Sequence, residues 1–302
     1  MSNQVVSAVR YLLMILLLLG VGTGCKSHHP PDERQIMNAH NNRANELYAQ
    51  AKFDTAEKEY RVVLAIRQRV LGAEHPDTLA TRNNIANTLH GQGRLAQAEA
   101  EHRAVLALRE RILGPANPDT LLSRHNLAAV LMARAKYAEA EAEYRICRGL
   151  EERAQGAEHP DTLGSRLNIA LALNAQGKHA EAEVEYRAVL RVQEREYGAM
   201  HSETLPCRLN LAMTLQSQGK YAQAETEHRA CLAMEERALL PGHVNIFTSC
   251  YNLAICLHGQ GNDGEALTYA RRAWSGFQQT LGAKHAHTLT AQKLITELEP
   301  PK

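Results

Sequence analysis

A nine-residue phrase returns through this chain at a fixed spacing of 42. It reads Leu71-Gly72-Ala73-Glu74-His75-Pro76-Asp77-Thr78-Leu79, then Leu113-Gly114-Pro115-Ala116-Asn117-Pro118-Asp119-Thr120-Leu121, then Gln155-Gly156-Ala157-Glu158-His159-Pro160-Asp161-Thr162-Leu163. A looser copy runs from Tyr197 to Leu205, with fainter echoes at His243 and at His285-Ala286-His287-Thr288-Leu289. A fixed period of roughly 20 to 50 residues marks a stacked-repeat fold, because a unit that short buries its apolar face only against its neighbours. The 302 residues therefore form one elongated solenoid rather than the two domains that length alone suggests.

Two amphipathic helices are legible in each unit. In the second copy they cover about Asp77–His90 and Leu95–Ile112, with Gly91-Gln92-Gly93 as the turn. Pro76 suits a first helical turn, where its missing N–H costs nothing, and Asp77 and Thr78 favour the positive end of the helix. Leu113-Gly114 is a stop signal. The other first helices fall near 38–50, 119–132, 161–174, 203–216 and 245–258. Leu47, Leu89, Leu131, Leu173, Leu215 and Leu257 recur at the period, as do Ala56, Ala98, Ala140, Ala182, Ala224 and Ala266. Large leucines opposite small alanines let paired helices approach closely. The turn column Ala51, Gly93, Ala135, Gly177, Gly219, Gly261 admits only small residues.

The order Ile85-Ala86-Asn87-Thr88-Leu89, Gly93, Leu95-Ala96-Gln97-Ala98 and His102 resembles the tetratricopeptide repeat. The 42-residue length, Arg82-Asn83-Asn84-Ile85-Ala86 and the Leu71–Pro76 phrase are similar to kinesin light chains and their bacterial relatives, over roughly residues 37–298. The heptad region that would join a motor heavy chain is missing, so no motor role is implied. The resemblance implies an all-α, right-handed superhelical solenoid of tetratricopeptide-type hairpins: six repeats over 37–286, then a capping helix and tail over 287–302. It also implies a non-enzymatic scaffold that binds protein or peptide segments in a concave groove.

One residue per first helix forms the column Asn42, Asn84, Asn126, Asn168, Asn210, Asn252. An amide both donates and accepts, matching an extended peptide backbone, and related repeats hold peptide with such asparagines. The same amides could instead hold neighbouring units in register. The column Arg82, Arg124, Arg166, Arg208 could clamp a carboxylate or pair with glutamates of adjacent helices. A further column, Arg61, Arg103, Arg145, Arg187, Arg229, Arg271, reads as a structural ion-pair ladder. Family geometry adds two wall positions. One reads Asn41, Asn83, His125, Leu167, Leu209, Tyr251 and the other Asn45, Asn87, Ala129, Leu171, Met213, Ile255. The groove should pass from amide-lined to apolar, with Leu167, Leu171, Leu209, Met213, Tyr251 and Ile255 as anchors for a partner, unless the C-terminal helix folds back over them.

Ahead of the repeats, Arg10 precedes an apolar run from Tyr11, and Gly22-Thr23-Gly24 leads to Cys25. This describes a signal peptide over residues 1–25, too short in its apolar part to span a bilayer. Its exit resembles a bacterial lipoprotein box, except that Gly22 stands where an aliphatic is usual. That implies lipidation of Cys25 and an exported, membrane-anchored protein on the periplasmic or extracellular face. Residues 26–36, with Pro30-Pro31, read as a tether.

A net charge of +1 gives no nucleic-acid footprint. The histidines at 75, 159, 201, 243 and 285 stand one per junction, too dispersed for three or four metal ligands, and read as helix starts. Cys147 and Cys231 occupy a position held elsewhere by valine and read as core. No catalytic motif is present, so no enzyme, metal or cofactor is expected. A self-assembling repeat protein without a peptide ligand is the alternative reading.

Overall fold

In a computed structural model, residues 33–299 are described; the expectations for residues 1–32, including the Cys25 anchor, lie outside the described residues. Thirteen α-helices follow one another: α1 Glu33–Ala49, α2 Phe53–Val70, α3 Pro76–Gly91, α4 Leu95–Leu113, α5 Pro118–Ala133, α6 Tyr137–Gln155, α7 Pro160–Ala175, α8 His179–Tyr197, α9 Leu205–Ser217, α10 Tyr221–Ala238, α11 Val244–Gly259, α12 Asp263–Leu281 and α13 Ala286–Leu298. No strand occurs among the described residues. Each helix packs on its neighbours in sequence, so the chain is six hairpins in series, units one to six, closed by α13. The helical backbone begins at Glu33, within the stretch read as the tether; Glu33 pairs with Arg69 at 2.7 Å and α1 lies on α2.

The repeated phrase is a helix junction written in side chains. Gly72 takes φ +96, a left-handed conformation that costs a Cβ-bearing residue about 1 kcal/mol or more. The His75 Nδ1 then caps α3 by accepting the Asp77 N–H at 3.2 Å, and Pro76 occupies the first turn. Buried Thr78 donates back to the Gly72 carbonyl at 2.8 Å, and Leu79 is fully buried. His159, His201, His243 and His285 cap in the same way, as does Asn117 through its amide oxygen. The histidine column is thus a capping column. In the fourth copy Ser202 replaces proline while Pro206 appears four residues later. Pro206 has no N–H to donate to the Ser202 carbonyl, and Ser202–Thr204 form a 3₁₀ turn instead.

The column of alanines at the start of each second helix is fully buried, and Leu131, Leu173 and Leu215 are fully buried beside it. Burying one leucine contributes about 2 kcal/mol. Mid-way along the second helix of units one to five a ring is packed inside: Tyr60, His102, Tyr144, Tyr186 and His228. The turn column has a cause beyond size. Ala51 and Ala135 sit at φ 56 and 58, and Gly93, Gly177, Gly219 and Gly261 at φ 72 to 77, so the position demands left-handed backbone.

Charged side chains clip the units together. Glu57, Glu99, Glu141, Glu183 and Glu225 each accept from the arginine one turn on and from the turn of the next unit. Arg61, Gln92 and Arg94 reach Glu57, while Arg187, Gln218 and Lys220 reach Glu183. Burial pushes the Glu99 and Glu183 carboxyls up, but these cationic partners outweigh it and hold both down at about 2. Arg103 and Arg229 extend the ladder to Glu139 at 2.7 Å and Glu265 at 2.6 Å. Exposed pairs add little stability singly; repeated at each junction, they fix register.

Candidate functional site

The first helices, α1, α3, α5, α7, α9 and α11, carry all of the proposed contact residues, and adjacent ones touch through Asn126, whose Nδ2 donates to Asn83 Oδ1 at 3.2 Å. At that one position the asparagine column serves register. The side-chain amides of Asn42, Asn84, Asn168, Asn210 and Asn252 have no hydrogen-bond partner among the described residues, and all are exposed or partly exposed. Their donors and acceptors remain directed at the medium.

The arginine column behaves otherwise. Arg82 pairs with Glu101 at 2.6 Å and Arg166 with Glu185 at 3.0 Å. Arg124 bridges Glu110 and Glu143, and Arg208 bridges Glu194 and Glu227; both guanidinium groups are nearly buried. These arginines are committed to helix–helix ion pairs and offer no clamp to a ligand carboxylate.

Of the apolar wall residues, Met213 is 55% exposed and Leu171 41%. Leu167 and Leu209 are partly buried, Leu167 against the central core. Tyr251 and Ile255 are also partly buried, packed in the cluster that α13 completes with Ala291, Leu294 and Leu298. The last helix therefore stacks where a seventh unit would begin and covers the strip only at its end, leaving Leu171 and Met213 open. On the amide side, Tyr60 donates to Asn45 at 2.7 Å and Asn83 is buried, so half of that lining is structural.

Beside Asn168 lies a cavity of about 380 Å³ bounded by Leu121, Leu122, His125, Glu151 and Ser165. Column reading placed His125 on the wall but missed Glu151, which is 3% exposed on α6 and accepts from Ser165 at 2.6 Å. The signal was present: this column holds Arg67 and Arg109 in units one and two, and its sign inverts in unit three. The described cysteines, Cys147, Cys207, Cys231, Cys250 and Cys256, are all buried and free. No helix among the described residues is long and apolar enough to cross a membrane.

The fold is shared with solved structures. A Podosopora anserina protein described as a kinesin light chain with nearly identical TPR-like repeats is 24% identical, with a TM-score of 0.62 over 67% of this chain and 95% of that one. PilW, a type IV pilus biogenesis factor, is 16% identical with a TM-score of 0.62, covering 85% of this chain and 99% of the other. A Rap protein complexed with competence and sporulation factor is 11% identical with a TM-score of 0.55, covering 87% and 75%. No curated protein sequence matches the chain. The tetratricopeptide-repeat profile matches residues 35–111, 79–145, 119–195, 161–237 and 204–279, which together span all six units. The chain belongs to the tetratricopeptide-repeat family.

Proposed function

We propose that this chain is a non-enzymatic scaffold, tethered to a membrane through a lipid on Cys25, that holds an extended segment of a partner protein along its first helices. The observation that carries the reading is the juxtaposition of two kinds of unsatisfied surface. The amides of Asn168 and Asn210 lack protein partners, and exposed Leu171 and Met213 lie one turn further along the same helices. Amides take the partner's main chain and apolar residues take its side chains, which suits an extended peptide better than a folded surface. Scaffolds of this family mediate protein–protein contacts, and the Rap structure holds its competence and sporulation factor on such a fold.

The test is crosslinking and recovery from intact cells, comparing the parent chain with Asn168→Ala plus Asn210→Ala, the two amides that carry the reading. A partner recovered with the parent and lost with the variant supports the reading. Equal recovery of every partner from both removes the asparagine column from it. Sedimentation across a concentration range separates self-assembly, which would shift the size distribution, from partner binding. Cys25→Ser tests the tether alone, since a variant still carrying lipid removes that residue as the anchor.

A further inference from the structure

Glu151 is a carboxylate 3% exposed in a solenoid core, where its cost depends on the groups gathered around it. Arg67 and Arg109, at the same position in units one and two, satisfy themselves on the next first helix: Arg109 donates to the Asp119 carbonyl at 2.7 Å and to Ser123 at 2.8 Å. In unit three the column turns acidic, and two other columns change with it. His125 replaces the asparagine of units one and two, and Cys147 replaces their valine. The donor atoms of His125, Cys147 and Glu151 lie within 4.8 Å of one another.

The six units form an internal control. At these three positions units one and two carry Asn, Val and Arg, and unit four carries Leu, Val and Gln. Unit five carries Leu, Cys and Glu, and unit six carries Tyr, Ala and Phe. Only unit three has a nitrogen, a sulfur and an oxygen ligand together. Cys147 and Glu151 are one turn apart on α6, and His125 meets them from α5, its Nε2 2.9 Å from Glu151 Oε1. Ser165, from α7, donates to the other carboxylate oxygen and orients it, as an outer partner of a metal ligand does. The cavity of about 380 Å³ opens on His125 and Glu151 and leaves room for a fourth donor.

We propose that His125, Cys147 and Glu151 form a binding site for a zinc-like divalent cation, with one coordination position open to the cavity. An imidazole, a thiolate and a carboxylate are the mixed donor set that a borderline-soft, tetrahedral ion accepts. Two anionic ligands also neutralise the dication, which removes the cost of burying Glu151. Bonds of about 2.0 to 2.3 Å place donors roughly 3.3 to 3.8 Å apart. The His125–Glu151 contact at 2.9 Å is shorter than that, so cation binding requires these side chains to move apart around the ion. The ligand form of a cysteine is its thiolate, so each cation bound displaces one proton from the Cys147 sulfur to solvent. The site binds without a partner protein, so its test is independent of the groove reading.

Titrating the purified chain with Co²⁺ reads the site directly, because a thiolate–cobalt bond gives a charge-transfer band in the near ultraviolet. The parent should bind one equivalent with that band, and Zn²⁺ should displace it. Cys147→Val, which restores the residue of units one, two and four, should lose the band with the helical circular dichroism unchanged. Cys231→Val should keep it, and Ser165→Ala should weaken binding about tenfold. Leu209→His supplies unit five with its missing imidazole and should raise the stoichiometry to two. A parent chain that shows no thiolate–cobalt band, or a band that survives Cys147→Val, overturns the proposal. A stoichiometry still at one in a folded Leu209→His chain overturns the sufficiency of these three positions.

Discussion

Units three and five bury a glutamate at the same place and treat it in opposite ways. Glu151 is 3% exposed, with His125 and Ser165 on its two oxygens. Glu235 is 2% exposed, but Leu209 stands where His125 would be, and its Oε2 has no hydrogen-bond partner among the described residues. Burial pushes the Glu235 carboxyl up, and Ser249 offsets this only in part. The buried ring differs too, being Tyr144 in unit three and His228 in unit five. The two hairpins share a frame of leucine, alanine, cap and ladder, so polar residues inside that frame vary without changing the fold. What the variation changes is how each unit responds to protons and to ligands.

The largest expected effect is in acid. His228 and His102 are fully buried and burial holds both at about 4, against about 6.5 when unfolded. A histidine depressed in this way contributes its stability in full above pH 6.5 and loses it as pH falls toward 4, on the order of 3 kcal/mol each. His228→Tyr, which gives unit five the ring of unit three, should flatten the urea-midpoint profile between pH 6.5 and 4 by one proton. An unchanged slope would erase this difference between the units. The ladder glutamates titrate lower, since Glu99 and Glu183 sit at about 2, and their loss belongs to a separate, more acidic limb.

Next in size, His125→Leu makes unit three resemble unit five and should cost about 2 kcal/mol at pH 7, as expected for removing one partner of a buried charge. A loss below about 0.5 kcal/mol in the urea midpoint would break the comparison. The smallest effect is at the turn, where unit three has Ala135 at φ 58 and unit five Gly219 at φ 72. Ala135→Gly should gain about 0.5 to 1 kcal/mol in urea unfolding, because it removes a left-handed alanine; a loss would place the strain elsewhere.

The frame was legible because it is written once per period. The Leu89, Ala98 and His75 columns foretold helices, core and caps, and the structure moves the ends of the two helices in that unit by only one residue. The exposed Leu171 and Met213 could be placed from the same columns. Glu151 was not seen, since a single inverted charge in one column reads as surface variation until its depth is known. The arginines at 82, 124, 166 and 208 stayed ambiguous for a related reason: their partners, such as Glu101 and Glu143, lie 19 residues away on the next helix. Sequence spacing alone does not say which glutamate an arginine meets across a helix pair.

The central claim is that the first-helix wall, and not the outer face of the second helices, holds a partner. A photo-reactive amino acid placed at Met213, and separately at Val184, which is 66% exposed on α8, tests it directly. The account predicts a discrete crosslinked partner from position 213, absent from position 184 and lost when Asn168 and Asn210 are both alanine. The same product from both positions, or one that persists without the two asparagines, would contradict it.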